Sequence, residues 1–250
     1  MTAIQRSLLQ QAGRRLWLAF LAALVVVGGA SGTAYYAALQ RTADAQAASL
    51  AGFYRDRLRH LGARWEIQAL QLKRQLELAK VLEQPGDLRV GAESFFTLMG
   101  EEAGFGNVHI DDAEDRLLFE RHATLSAPPP HSAVDAPPYW YYDPVTHVVH
   151  RAFSLPIWLG PVRGMGHLHW YVPIDNGLLL DMAMLDGELY VLWQDTVAAA
   201  STGTPGAVAP TALAADATSI EGARLTVQRR VSWGDAGLHP VLVVRHSPSR

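Results

Sequence analysis

From Leu16 to Gln40 the chain carries no charged side chain. A run of about 25 such residues is long enough to cross a bilayer as a helix, and a helix satisfies its own amides where water is absent. Its apolar core, Leu16 to Val27, leads into the small residues Gly28, Gly29, Gly32 and Ala34. Two readings share these features. A cleaved signal peptide would place its cut after the small residues, whereas an uncleaved anchor continues through Tyr35 and Tyr36, whose rings suit the outer interface. The length of the run, and helical spacing that carries on through Ala37 and Leu39, favour the anchor. Arg6, Arg14 and Arg15 then predict a cytoplasmic tail over 1–15 and a transmembrane helix over 16–38. Everything later is expected outside the cytoplasm, held by a single pass through the inner (cytoplasmic) membrane.

Beyond the anchor, Leu39, Ala43, Ala47, Leu50, Tyr54, Leu58, Leu61, Trp65, Ala69, Leu72, Leu76 and Ala79 recur at steps of three and four. That spacing keeps one apolar stripe on a helix, predicted over 39–84 and stopped by Gln84-Pro85-Gly86-Asp87. Leu39, Leu50, Leu61 and Leu72 follow a period of eleven, which suits a nearly straight helical pairing. After Trp65 the stripe is expected to pack on the domain's own sheet. From Leu39 to Leu61, close to the bilayer and with no local core to cover, it is expected to face an identical helix in a parallel homodimer.

The 250 residues leave room for one globular domain beside the anchor and the long helix. A net charge of -3 without a basic stripe argues against nucleic acid as a partner. The absence of cysteine excludes disulfides, thiolate metal sites and a cysteine nucleophile.

The later chain reads mainly as strands. A short helix is expected at Ser94–Glu102. Phe105–Ile110 and Arg116–Glu120 flank the acidic turn Asp111-Asp112-Ala113-Glu114-Asp115, as in a hairpin. Prolines bracket a loop over 123–138, after which Tyr139-Trp140-Tyr141-Tyr142 and His147–Leu155 form strands around Asp143-Pro144. Leu155–Gly164 reads as a connection and Met165–Val172 as a strand with Leu168, Trp170 and Val172 on one face and His167, His169 and Tyr171 on the other. Asp175 or Asn176 caps a short helix, and Glu188–Trp193 is a further strand. The Ala-rich stretch Ala198–Thr218, within a loop over 196–220, reads as a flexible excursion. Arg224–Trp233 and Leu238–Arg245 close the chain as a hairpin.

Candidate chemistry is sparse. His167 and His169 have the spacing with which a strand offers two imidazoles to a metal, with His147 or His150 as third ligand. Ten histidines make such spacings common, no carboxylate is evident to orient the rings, and partly exposed structural histidines are the expectation. The acidic turn lacks the spaced oxygens of a calcium loop. Gly160, Gly164 and Gly166 lie between strands rather than opening a helix, so a tight turn accounts for them. Ser94 sits in no nucleophile elbow. Neither a catalytic residue nor a cofactor is implied. Tyr139, Trp140, Tyr141, Arg151 and Trp158 form the best candidate pocket, with Arg151 pairing an anionic ligand and the rings enclosing it; ordinary core is the alternative for each ring.

The stretch Gly164-Met165-Gly166-His167-Leu168-His169-Trp170 into Tyr171-Val172-Pro173-Ile174-Asp175, then Leu178-Leu179-Leu180 and Glu188–Trp193, resembles the extracytoplasmic CHASE/Cache sensor domains of bacterial transmembrane receptors. Trp233–Gly237 and Pro240–Arg245 resemble that family's last hairpin. The resemblance implies an α+β fold in which the transmembrane helix continues into a long helix packed on a PAS-like antiparallel sheet, with a sensor domain over 85–250 that binds a small molecule or a periplasmic partner. Such receptors continue into a second transmembrane helix and an output module; here the sequence ends at His246-Ser247-Pro248-Ser249-Arg250. It is therefore expected to be the input half of a longer receptor or to act through a partner. A bitopic scaffold of an envelope assembly and an anchored periplasmic metal-binding or hydrolytic protein are the alternatives.

Overall fold

A computed structural model describes residues 3–83, 88–99, 105–126, 138–183, 187–194, 196–205, 208–221, 224–233 and 240–246. Helix α1 runs Ala3–Leu78, and the chain divides into two compact units, residues 1–49 and 50–250. In the first unit Trp17, Phe20, Leu24, Val25 and Val26 are each more than half exposed. The helix there is long and apolar enough to cross a membrane by length and composition. The Thr33 hydroxyl donates back to the carbonyls of Gly29 and Ala30 at 3.0 and 2.9 Å, a local bond that occupies its donor within the helix.

In the second unit α1 lays Tyr54, Leu58, Trp65, Ala69, Leu72 and Leu76 into one core, with Leu50 and Leu61 half-buried beside them. The stripe is therefore where the spacing put it, but its use differs. Tyr54 and Leu58, expected to face a second copy, belong to the domain's own core, because the domain extends back along the helix: the Arg57 guanidinium donates to the Asp181 carbonyl at 3.1 Å. The helix also stops before 84–87, which lie outside the described residues; Lys80 takes a left-handed φ of 51° and its N–H donates to Glu77, closing the last turn. Helix α2 (Leu88–Met99) begins earlier than expected and buries Leu88, Ala92 and Phe96, with Phe96 stacked on Phe119 at 5.4 Å.

Two antiparallel five-stranded sheets follow. The first holds β1 (Val108–Asp112), β2 (Leu117–Arg121), β3 (Tyr139–Tyr142), β4 (Val149–Trp158) and β5 (Met165–Ile174) in the order β2-β1-β5-β4-β3. Helix α3 (Asn176–Met182), capped by Asp175, whose carboxylate accepts from the Leu178 N–H at 2.8 Å, leads to the second. That sheet holds β6 (Gly187–Trp193), β7 (Thr196–Ala200), β8 (Ala217–Glu221), β9 (Arg224–Ser232) and β10 (Val241–His246) in the order β7-β6-β10-β9-β8. The fold is α+β, a long helix on two sheets.

Two sequence readings fail on the strands. The excursion at 196–220 contains β7, a 3-10 turn at Pro210–Leu213 and the start of β8. Its alanines hide a strand because Ala199 and Ala200 are fully buried against β6, where small side chains allow close approach. Leu155–Trp158, expected as a connection, belongs to β4. Pro156 is tolerated because β3 pairs with β4 only as far as Ala152. The Trp158 N–H, two residues on and so on the same side, points away from β5 and donates to Glu77 at 3.4 Å. The turn itself is Leu159–Gly164, with Gly160 and Gly164 at φ of 98° and 74°, as the glycine spacing suggested.

Candidate ligand-binding site

Period-two alternation divides the candidate residues between the two faces of the first sheet. Trp140 and Tyr142 pack toward α1 and the main core, whereas Tyr139 and Tyr141 pack on the reverse face with Leu125, Ala152 and Tyr171. Trp140 lies directly across from Arg151 in the β3–β4 pairing, and the Arg151 guanidinium sits 4.7 Å from the centre of its ring. Trp158, 41% exposed at the end of β4, lines no site with them. Of the five candidates, two come together on the helix side.

Around that pair opens a cleft of about 460 Å³. Trp233, at the end of β9, meets Trp140 edge-on at 5.1 Å and stacks on Trp65 of α1 at 6.0 Å. Arg55, Arg59 and Glu66 of α1 and Ser232 complete the rim. Three guanidinium groups thus face one carboxylate. Burial pushes the Arg151 pKa down and the Glu66 charge pushes it up, but a guanidinium stays cationic through such changes. Among the described residues, none of Arg55, Arg59 and Arg151 makes an ion pair within 4 Å, and the buried Trp140 indole N–H has no hydrogen-bond partner. Arg55 and Arg59 stand exposed to water, whereas the half-buried Arg151 guanidinium without an ion pair is costly unless something else meets it. Trp65, Trp233, Arg55 and Arg59 were not legible as site residues, because only the fold brings them to Trp140 and Arg151.

The reverse face carries a different group. His109 and Asp111 on β1 lie against His169 on β5, all three buried, with His109 Nε2 2.6 Å from Asp111 Oδ1 and His169 Nε2 3.4 Å from Oδ2. Burial alone would raise the Asp111 carboxyl; hydrogen bonds and charge from the two imidazoles outweigh it and hold the group well below the usual carboxylate range. This overturns two expectations: His169 is not partly exposed, and a carboxylate does orient it. Asp111 was assigned to the acidic turn, yet it is the strand residue paired with His167. A usable signal was the matching alternation of His109 and Asp111 with His167 and His169. Gly166 belongs to the same contact, since a side chain there would run into the Asp111 carbonyl oxygen and Leu159.

The remaining metal candidates disperse. His167 lies 3.7 Å from Asp115, His147 Nδ1 contacts the Tyr142 hydroxyl at 2.7 Å, and His150 Nε2 contacts the Thr124 hydroxyl at 3.2 Å. Burial pushes His150 down to about 4, against the Asp143 charge, so it stands neutral. Asp112 is taken up by the Arg116 guanidinium at 2.7 Å and by the Glu114 and Arg116 N–H groups. Among the described residues no group of three or more acidic or imidazole side chains is placed to hold a metal ion. The Ser94 hydroxyl donates to the Val90 carbonyl at 2.8 Å, within its own helix.

No protein-family model and no curated protein matches the chain. Among solved structures it is similar to the ligand-binding domain of Mlp24 with asparagine, at 12% identity and a TM-score of 0.38 over 75% of this chain and 84% of that one. It is also similar to the ligand-binding domain of the Pseudomonas aeruginosa amino acid chemoreceptor PctC in complex with GABA, at 13% identity and 0.35 over 74% and 98%. An extracellular ligand-binding receptor from Desulfohalobium retbaense matches at 13% and 0.35 over 73% and 38%. The chain is thus similar to receptor ligand-binding domains, at identities where no residue's role passes from them to it.

Proposed function

We propose that the chain is a membrane-anchored, extracytoplasmic input module that takes a small molecule in the Trp140–Arg151 cleft and passes its occupancy to α1. The observation that carries this reading is the origin of the cleft's lining: Arg55, Arg59 and Glu66 come from α1, Trp140 and Arg151 from the first sheet, Ser232 and Trp233 from the second. A ligand touching all three has different affinities for arrangements that differ in their spacing, and only such a difference can shift a conformational equilibrium. The uncharged run supports the anchor. Relay through paired helices fits the apolar residues that α1 leaves exposed, Phe53, Ile67 and Leu70, rather than the buried stripe. The same exposed residues favour, as a second reading, an envelope scaffold whose helix docks a different protein.

The placement is tested by fusing alkaline phosphatase or a fluorescent protein after Arg250 in bacteria. Phosphatase activity with no fluorescence is expected. Fluorescence with an inactive phosphatase places the domain in the cytoplasm and removes the reading.

A further inference from the structure

We propose that the outer edge of β4, from Ser154 to Trp158, docks an extended peptide segment of another protein, which joins the first sheet as an antiparallel strand beside α1. Such a partner is separate from the small molecule of the Trp140–Arg151 cleft and needs no ligand there.

A mismatch in strand length leaves this edge. β4 has ten residues and β3 four, so β3 covers β4 from Val149 to Ala152 and stops, while β5 runs along the other side as far as Trp158. Among the described residues no strand lies beside Phe153–Trp158 on the β3 side. The backbone direction there is fixed at both ends: the Val148 carbonyl accepts from the Asp143 N–H at 2.9 Å, and the Trp158 N–H leaves toward Glu77 at 3.4 Å. Because N–H and C=O of one residue point the same way and alternate along a strand, Ser154 presents both groups and Pro156 a carbonyl. A row of this kind is a template for another chain.

An apolar floor lies next to the row. Ala69 and Leu70 of α1, with Pro138, Phe153 and Leu155, bound a groove of about 290 Å³ that has Glu66 at its rim. Leu70 is 56% exposed there. The groove is smaller than the roughly 300–1,000 Å³ of small-molecule sites, and the groups along it are those that a main chain matches.

A second copy of the chain fits the edge poorly at every two-fold register. Centred on Ser154 or Leu155, the pairing drives the partner strand's proline or tryptophan onto the place beside Ala152 that Tyr139 holds. Centred on Pro156, it sets two carbonyls face to face with no N–H between them. Centred further on, it needs the Trp158 N–H, which donates to Glu77. The sequence ahead of β3 reads Pro137-Pro138 and has no amide N–H to give the Ser154 carbonyl. A different chain meets none of these obstacles. Its residues opposite Ser154 and Pro156 turn their N–H groups to β4 and their side chains to the reverse face, while the residues between them lay apolar side chains on Leu70 and Leu155.

The probe is the acetylated and amidated peptide Lys-Val-Thr-Val-Thr-Val-Lys, followed by saturation-transfer NMR with the full chain in neutral phosphatidylcholine discs. Binding with a Kd below about 1 mM is expected, with transfer strongest to the valine methyls. N-methylation of both threonines should weaken it at least about fivefold, since two bonds to β4 are lost, whereas N-methylation of two valines should leave it within about twofold. Pro156→Ala gives the edge another donor and should tighten the unmodified peptide by about two- to tenfold. No binding up to about 10 mM peptide, equal loss from both N-methylated sets, or no gain from Pro156→Ala overturns the proposal. So does a peptide affinity that falls as the chain is concentrated and dimerises, which assigns the edge to a second copy.

Discussion

Replacing Asp111 by asparagine keeps the shape of the side chain and removes its charge, at a position with no solvent exposure. The carboxylate stands 2.6 Å from His109 and 3.4 Å from His169. A hydrogen bond to a charged group contributes about 1.5–3 kcal/mol, and two imidazoles meet this carboxylate; asparagine keeps one carbonyl acceptor but turns an amide donor toward the second imidazole, so about 2–4 kcal/mol is the expected loss at pH 7. In a domain of this size that lowers the melting temperature by about 5–15 °C. The pH dependence has a definite sign. A carboxyl depressed in the folded state contributes stability that is complete above its unfolded value of about 4 and fades as pH falls below it. The gap between the parent and Asp111→Asn should therefore narrow only below about pH 4. Circular dichroism melts of the full chain in detergent from pH 7 to pH 2 measure both. Identical melting at pH 7, or a gap undiminished at pH 2, refutes the account.

Three further substitutions probe other parts of the molecule. His150, pushed down to about 4 by burial, is neutral when folded, so the unfolded chain binds an extra proton between about pH 6.5 and 4 and stability falls by about 3 kcal/mol across that window; His150→Gln should flatten that part of the melting-temperature profile, and an unaltered slope speaks against it. Gly166→Ala drives a methyl group into the Asp111 carbonyl oxygen, which cannot rotate away, so a loss at or above the usual ~1–3 kcal/mol of overpacking is expected by urea titration, and a neutral result contradicts the β1–β5 spacing. Because the chain has no cysteine, Ile67→Cys reports helix pairing cleanly. Oxidation should trap a dimer through that exposed position and none through Leu58→Cys in the core; the reverse pattern would restore the buried stripe as the pairing face.

What the sequence disclosed follows from which interactions are local. The helical stripe was legible because one helix face meets one core, and Leu58, Trp65, Ala69, Leu72 and Leu76 are buried at the spacing that named them. Its partner was not legible, because nothing in the spacing tells a neighbouring sheet from a neighbouring helix. β7 was missed since its two buried residues, Ala199 and Ala200, are alanine, which carries no strand signal of its own. Asp111 was lost to turn chemistry: a run of acidic residues reads as solvated, and only the pairing of β1 with β5 shows that one of them points between two imidazoles. Trp140 and Arg151 could be chosen as neighbours across a hairpin, but Trp65 and Trp233 come from distant segments that the sequence gives no reason to join.

The two polar groups of the first sheet differ in what they do for the fold. Asp111 is met by two imidazoles, so its removal subtracts stability. Arg151 is half-buried without an ion pair among the described residues, so its charge is a cost to the folded state that its contact with Trp140 offsets by only about 0.5–1 kcal/mol at a partly exposed site. Arg151→Gln removes both the cost and the offset, and the melting temperature should stay within a few degrees of the parent or rise, while Asp111→Asn falls. A cation retained at the expense of stability fits a binding group, since sites kept ready for a ligand are commonly less stable than they could be. If Arg151→Gln lowers the melting temperature as far as Asp111→Asn does, the guanidinium is holding the fold together and the cleft loses its claim to a ligand.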